Sequence, residues 1–299
     1  MGGLWSSPTL PTNVHHSMNR THDAESMGDA LQGREFAWTN ADFDRVQALI
    51  YQRAGISLHN GKHAMVYSRL SRRLRETGHQ SFKDYLAWLQ KHDGPEWQEF
   101  VNALTTNLTS FFREQHHFET LAEHLRTQPS RAWRIWCNAA STGEEPYSII
   151  ITAMEALGAK ANVHLTASDI DSKVLATAAQ ATYRLDGLKG MNSQRLHRFF
   201  LKGKGSNEGM AKIRPELKAL IDFVNVNLIR DDWQFRERFD LVFCRNVMIY
   251  FDASTQRKVL ERIHRVMLPG GLLFVGHAEN FGEFRDLFLL KGKTVYERL

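Results

Sequence analysis

Two adjacent glutamates, Glu144 and Glu145, follow a run of small residues from Ala139 to Thr142 and a turn-permitting glycine, Gly143. A phosphate ligand needs bare backbone N–H groups at a helix start and is repelled by carboxylates there. A ligand carrying hydroxyls, an ammonium or a sulfonium is not. The turn is therefore a poor pyrophosphate cradle and suits S-adenosylmethionine, although first-turn acids also complement a helix dipole with no ligand at all. Asp169 lies 26 residues beyond Gly143, in A-S-D-I-D. In dinucleotide and adenosyl folds an acid at that place binds ribose, because its two oxygens accept from two vicinal hydroxyls. Asp171 is the weaker candidate, since the next helix can use it as a cap.

Three further stretches carry polar groups placed for binding. Arg245 and Asn246 open R-N-V-M-I-Y-F, where Tyr250 presents a hydroxyl or, with Phe251, packs the next helix. In Asn225 to Leu228, Asn227 suits the edge of an adenine and Leu228 its face. The run N-L-T-S-F-F-R sets Asn107, Thr109 and Arg113 along a polar edge with Phe111 and Phe112 beneath, and Arg113 can hold a carboxylate in bidentate geometry. Lys62, Arg69, Arg72, Arg73 and Arg75 crowd one helix. Lys62, Arg69 and Arg73 share a face opposite Val66 and Leu70, either as a solvated face or as a docking strip for an acidic partner. The histidine pairs His15–His16 and His116–His117 show no metal-ligand spacing, so no metal is expected.

The elements that position these residues fall into two groups. Residues 36–106 hold four helical patterns and nothing that reads as a strand. Thr39 with Asp42 forms a capping box, Ser81 and Asp84 open the third helix, and Pro95 opens the fourth. A linker spans 107–130. From 131 to 299 strands and helices alternate, which predicts a doubly wound, mostly parallel sheet. Its strands are Arg134 to Ala140, Val163 to Asp169, Val224 to Leu228, the central Leu241 to Cys244, Leu272 to Val275, and an edge strand from Thr294 to Glu297. Pro269-Gly270-Gly271 breaks the helix before Leu272. A small antiparallel β insertion is expected at about 198–220, where glycines punctuate short alternating segments.

Composition bounds the class. The 299 residues are 42% hydrophobic and 24% charged with a net charge of +5, ordinary for a soluble protein. No apolar run approaches the roughly 20 residues needed to cross a bilayer. Residues 1–35 read as a disordered tail without an export signal. Cys137 and Cys244 lie in apolar strands, which fits a reducing cytoplasm.

Taken together the chain resembles the chemotaxis receptor methyltransferases, the CheR family, over nearly everything after about residue 36. The resemblance rests on N-A-L-T-T-N-L-T-S-F-F-R-E at 102–114, A-A-S-T-G-E-E-P-Y-S at 139–148, A-S-D-I-D at 167–171 and F-C-R-N-V-M-I-Y-F at 243–251, with L-P-G-G-L-L at 268–273 and G-H-A-E-N at 276–280. It implies an all-α domain, a linker that closes over the cofactor, and an S-adenosylmethionine-dependent methyltransferase domain with a β insertion. It implies S-adenosylmethionine as donor, S-adenosylhomocysteine as product, and glutamates of methyl-accepting chemotaxis receptors as acceptors. By motif, the cofactor contacts fall on Asn107, Thr109, Arg113, Glu145, Asp169, Asn227, Leu228, Arg245 and Asn246, with Tyr250 near the transferred methyl. In one branch of the family the insertion binds a C-terminal receptor peptide, which an exposed edge strand suits by strand addition. A carboxylate acceptor, with a reference pKa of about 4.3, needs no general base, so Arg113 and Tyr250 are positioning groups.

Three rivals remain. A nucleic-acid methyltransferase fits the basic helix but not R-N-V-M, which stands where an Asp/Asn-Pro-Pro-aromatic tetrad is usual. A non-catalytic adenosyl-ligand sensor fits the fold but not the intact set of crevice residues. A dehydrogenase would carry G-x-G-x-x-G, which is missing.

Overall fold

The computed structural model describes residues 34–158 and 161–299. Residues 1–33, which make up nearly all of the expected tail, lie outside the described residues. Helix α1 (Asn40–Ala54) starts at the expected capping box: Thr39 Oγ1 accepts from the Asp42 amide at 3.2 Å, and Asp42 accepts from the Thr39 amide at 2.9 Å. Helices α2 (His63–Thr77), α3 (Phe82–Lys91) and α4 (Glu96–Leu104) follow. Val46, Ile50, Val66, Leu70, Leu74, Leu86 and Phe100 are fully buried in one apolar cluster.

The basic strip on α2 is corrected. Arg73 does not face solvent. It ion-pairs Glu96 at 2.6 Å, with both side chains about a tenth exposed, and contacts Glu76 and Glu99. Arg69 donates to the carbonyls of Ala103 (3.3 Å) and Thr105 (2.5 Å), closing the end of α4. Spacing placed both opposite Val66 and Leu70, but α4 packs on that side as well, and two arginines satisfy its acids and its last carbonyls. Arg72 stays exposed with Glu76, and Lys62 stays exposed at the start of α2.

Helix α5 (His116–Thr127) leads into strands β1 (Trp133–Cys137) and β2 (Val163–Asp169), separated by α6 (Glu144–Leu157). Helix α7 (Ser172–Gln180) precedes a three-stranded antiparallel sheet of β3 (Thr182–Arg184), β4 (Phe200–Lys202) and β5 (Met210–Ile213), in order β3-β5-β4, with α8 (Ser193–Phe199) between β3 and β4. The insertion therefore begins near 182 and not at 198. Its first strand is three residues long, too short to show alternation. After it come α9 (Pro215–Lys218), β6 (Ile221–Asn225), β7 (Phe239–Cys244), α10 (Ala253–Val266), β8 (Met267–Val275), β9 (Phe288–Gly292) and β10 (Val295–Arg298).

The main sheet has seven strands in the order β6-β2-β1-β7-β8-β10-β9. Strands β6, β2, β1, β7 and β8 run parallel, and β10 is antiparallel to both neighbours. Strand order reverses between β1 and β7, so the ligand crevice of such a sheet opens at their carboxyl ends. Three strand expectations shift. The last strand is interior, because β9 pairs outside it and reads in sequence only as L-L-K-G. Strand β6 lies three residues earlier than expected: it is an edge strand with Val224 exposed, while Val226 and Leu228 are buried beyond its end. Strand β8 runs through Pro269-Gly270-Gly271, and a register shift against β7 absorbs them. Among the described residues no helix is long and apolar enough to cross a membrane.

Removing one partner from a buried ion pair costs on the order of 3–5 kcal/mol, whereas an exposed pair contributes less than about 1 kcal/mol. Arg73→Ala should lower the urea midpoint markedly, and Arg72→Ala should leave it nearly unchanged. Equal small effects would return Arg73 to the surface.

Candidate functional site

The turn after β1 separates the two glutamates. Gly143 sits at φ 100°, and a Cβ there would lie 2.6 Å from Tyr183 Oη and 2.8 Å from Ala178 Cβ, so the close approach of α7 requires glycine. Glu144 accepts from Thr142 Oγ1 at 2.6 Å and stays at the turn. Glu145 turns inward and is buried, accepting from Cys137 Sγ at 3.4 Å and from Arg245 Nη1 at 2.5 Å. Burial raises its pKa above the ordinary carboxylate value, against the pull of Arg245.

Asp169 ends β2 and is also buried. One oxygen accepts from the Ser141 amide at 2.8 Å and the other from the Asp171 amide at 2.9 Å. Each keeps a lone pair, so the carboxylate can still accept from two vicinal hydroxyls. Burial pushes its pKa up to about 6. Asp171 takes the capping role: one oxygen accepts from the Lys173 and Val174 amides. Its other oxygen accepts from Thr105 Oγ1 (2.6 Å) and Asn107 Nδ2 (2.8 Å), which fastens the linker to the sheet.

The linker is fixed along its length. The Asn107 carbonyl accepts from Ser141 Oγ at 2.9 Å, and the Phe112 amide donates to Ser148 Oγ at 2.9 Å. Phe111 packs edge-on against Tyr183, and Phe112 against Phe118. Arg113 is half-buried and donates to the Leu108 carbonyl at 3.2 Å. Arg245, whose side chain has no exposed surface, donates to the Arg113 carbonyl at 2.6 Å and stands 3.4 Å from Glu114.

The segment after β7 is held by a carboxylate to which no role had been given. Glu279 is buried and accepts from the amides of Asn246 (2.9 Å), Val247 (2.9 Å), Met248 (2.8 Å) and Gly276 (2.6 Å). Asn246 takes φ 58°, and a Cβ on Gly276 would lie 2.5 Å from its amide nitrogen. The only trace of this in the sequence is an acid, in G-H-A-E-N, directly after a buried strand.

These elements enclose one cavity of about 370 Å³, within the range of small-molecule sites. Asn107, Thr109 and Arg113 line it from the linker, Glu145 from the start of α6 and Asp169 from the end of β2. Asn227, Leu228, Arg245, Asn246 and Tyr250 line it from the segments after β6 and β7. Of the basic residues Lys62, Arg69, Arg72, Arg73 and Arg75, Lys62 alone lines it. Asn227 is already engaged, donating to the Arg53 carbonyl at 2.8 Å and accepting from the Ile229 amide at 3.2 Å. It thus struts the helical domain against the crevice and keeps one N–H and one lone pair. The loop after α1 was missed altogether: Ile56, Ser57, Leu58 and His59 form a further wall. A helix-to-helix loop carries no sequence signal for lining a site in another domain. Asn138 is 2% exposed on the same cavity.

His116 and His117 gain a partner acid that spacing did not reveal. Ligand atoms of Glu114, His116 and His117 lie within 4.8 Å of one another. Arg245 beside Glu114 and the start of α5 both oppose a cation. The group is a hydrogen-bonded latch: Glu114 meets His277 Nδ1 at 3.0 Å, and His117, pushed down to about 3 by burial and Arg245, is neutral and bonded to Thr294 Oγ1 at 2.9 Å.

Two family descriptions cover this arrangement, "CheR methyltransferase, all-alpha domain" over residues 41–105 and "CheR methyltransferase, SAM binding domain" over 107–296. The chain belongs to the CheR family. It is 49% identical over 263 residues to a chemotaxis protein methyltransferase of Escherichia coli, covering 87% of this chain and 91% of that protein. Identity to chemotaxis protein methyltransferase 2 of Pseudomonas aeruginosa is 50% over 266 residues (88% and 95%), and to a Klebsiella aerogenes relative 48% over 277 residues (91% and 95%). This CheR protein is an S-adenosylmethionine-dependent methyltransferase, and its cavity fits that cofactor. Asp169 keeps a lone pair on each oxygen for hydroxyl donors, and Glu145 and Asp169 add two carboxyl groups to the lining.

Hydroxyls donating to Asp169 would favour its ionised form, so below its raised pKa their binding must displace a proton. Affinity should be constant above about pH 7 and fall by up to about tenfold per pH unit below the raised pKa of about 6. Calorimetry from pH 5 to 8 checks it, and Asp169→Asn should bind weakly with no such slope. A wild-type affinity flat through pH 5 would remove Asp169 from the hydroxyl contact.

Proposed function

We propose that this protein transfers the methyl group of S-adenosylmethionine to glutamate side chains of membrane chemotaxis receptors in the cytoplasm, forming glutamyl methyl esters for sensory adaptation. The observation that carries this reading is the near-half identity to chemotaxis protein methyltransferases over about nine-tenths of both chains. The geometry supports it chemically. S-adenosylmethionine supplies an electrophilic methyl on a positively charged sulfur. A glutamate acceptor is ionised at neutral pH, so the protein has only to align it and keep water away.

The side chains at the cavity suit that task. Tyr250 and Arg113 line it as orienting groups, and Asn246 and Tyr250 are carried by the turn that Glu279 holds. Cys137 is fully buried with its thiol raised well above the ordinary value by burial, so it offers no competing nucleophile. Acidic helical segments of the receptor are the acceptors. The outer strands β3 and β4 of the insertion leave edges on which a receptor's C-terminal peptide can add a strand.

Incubation with methyl-labelled S-adenosylmethionine and receptor membranes should place label on the receptor that mild base releases as methanol. Label that survives mild base, or that appears on nucleic acid, would contradict the reading.

A further inference from the structure

Two large aliphatic side chains lie exposed at the mouth of the cofactor cavity. Leu108 is 83% exposed and Ile249 is 50% exposed, and both line that cavity. Their backbones are held firmly. Leu108 sits between Asn107, bonded to Asp171, and Thr109, with its own carbonyl taken by Arg113. Ile249 follows the turn fixed by Glu279 and precedes Tyr250. Apolar side chains held exposed at the mouth of a site leave surface that a partner's apolar residues can cover. Lys62 is exposed on the same cavity and makes no ion pair among the described residues.

We infer that Leu108 and Ile249 form the acceptor-side lip of the active site, gripping apolar residues of an acidic amphipathic helix beside the glutamate that is methylated, while Lys62 attracts that helix's neighbouring carboxylates. The inference rests on the receptor-glutamate reading and adds which side chains select the acceptor. The chemistry favours an apolar grip. The reacting carboxylate loses its charge, so a cation clamped on it would stabilise the ground state more than the transition state. Aliphatic contacts to the adjoining helix surface fix the acceptor without that penalty and exclude water from its oxygen. Lys62 then acts through charge complementarity with the acidic helix as a whole.

The test compares wild type with Leu108→Ser, Ile249→Ser, the double variant, Leu108→Met and Lys62→Glu, in methyl transfer to receptor membranes and in calorimetric binding of S-adenosylmethionine. Each serine variant should raise the receptor KM about tenfold with the cofactor dissociation constant preserved, as expected of lost apolar contact to the acceptor. Leu108→Met should stay near wild type. The serine effects should persist at high salt, and the Lys62→Glu effect should shrink. Labelling by wild type with unchanged receptor KM in the serine variants overturns the lip alone, and so does a matching loss of cofactor affinity. Failure of wild type to form the base-labile ester overturns the receptor-glutamate reading together with the lip.

Discussion

Arg245 is a charge that cannot be lost, on a side chain with no exposed surface. A guanidinium stays protonated in a protein, so a buried one must be surrounded by acceptors. Here its Nη atoms donate to Glu145 from the start of α6 and to the Arg113 carbonyl, and Glu114 of the linker lies at ion-pair distance. One residue at the end of the central strand thereby fixes the first crossover helix and the linker against each other. The cavity lies at this junction. Arg245 fixes the far end of the linker at Arg113 and Glu114, while Asp171, Ser141 and Ser148 hold Asn107 to Phe112 against the strand ends.

Other buried carboxylates extend the same logic around the crevice. Asp171 joins the linker to α7, and Glu279 joins the loop after β7 to the loop after β8. Glu114 reaches His277 on the far side. Each acid is paired with backbone amides or a fixed cation, which is what allows several carboxylates to share a buried region. Asp169 differs. Each of its oxygens takes a single amide and keeps a lone pair, while burial raises its pKa as it raises those of Glu145 and Glu279.

The parallel core was legible because it is written in continuous apolar runs and small-residue turns. Leu241 to Cys244 reads as a central strand, and Glu144 to Leu157 as a helix, from local pattern alone. Glu145, Asp169, Arg245 and Asn246 line the cavity and follow those strands closely, whereas Asn107, Thr109 and Arg113 come from the linker, whose polar run N-L-T-S-F-F-R stands out from a plain connector. What failed was the part that depends on tertiary partners. Arg69 and Arg73 have surface spacing, but acids and carbonyls of α4 draw them inward. Strand β9 and the three-residue β3 exist because a neighbouring strand pairs with them, and their own sequences carry too little alternation to show it. The wall supplied by Ile56 to His59 comes from another domain, and Glu279 acts through backbone amides far away in sequence.

Arg245 and its acids should hold the Arg113 end of the linker in place before any cofactor arrives. Hydrogen exchange at linker amides in the cofactor-free protein tests it most directly, Phe112 above all, since its amide donates to Ser148. Those amides should exchange slowly in wild type. In Arg245→Met they should exchange on the order of tenfold to a hundredfold faster, while β1 amides stay protected, because the opening is local. Rapid linker exchange in wild type, or slow exchange unchanged in the variant, would show that Arg245 does not hold the linker.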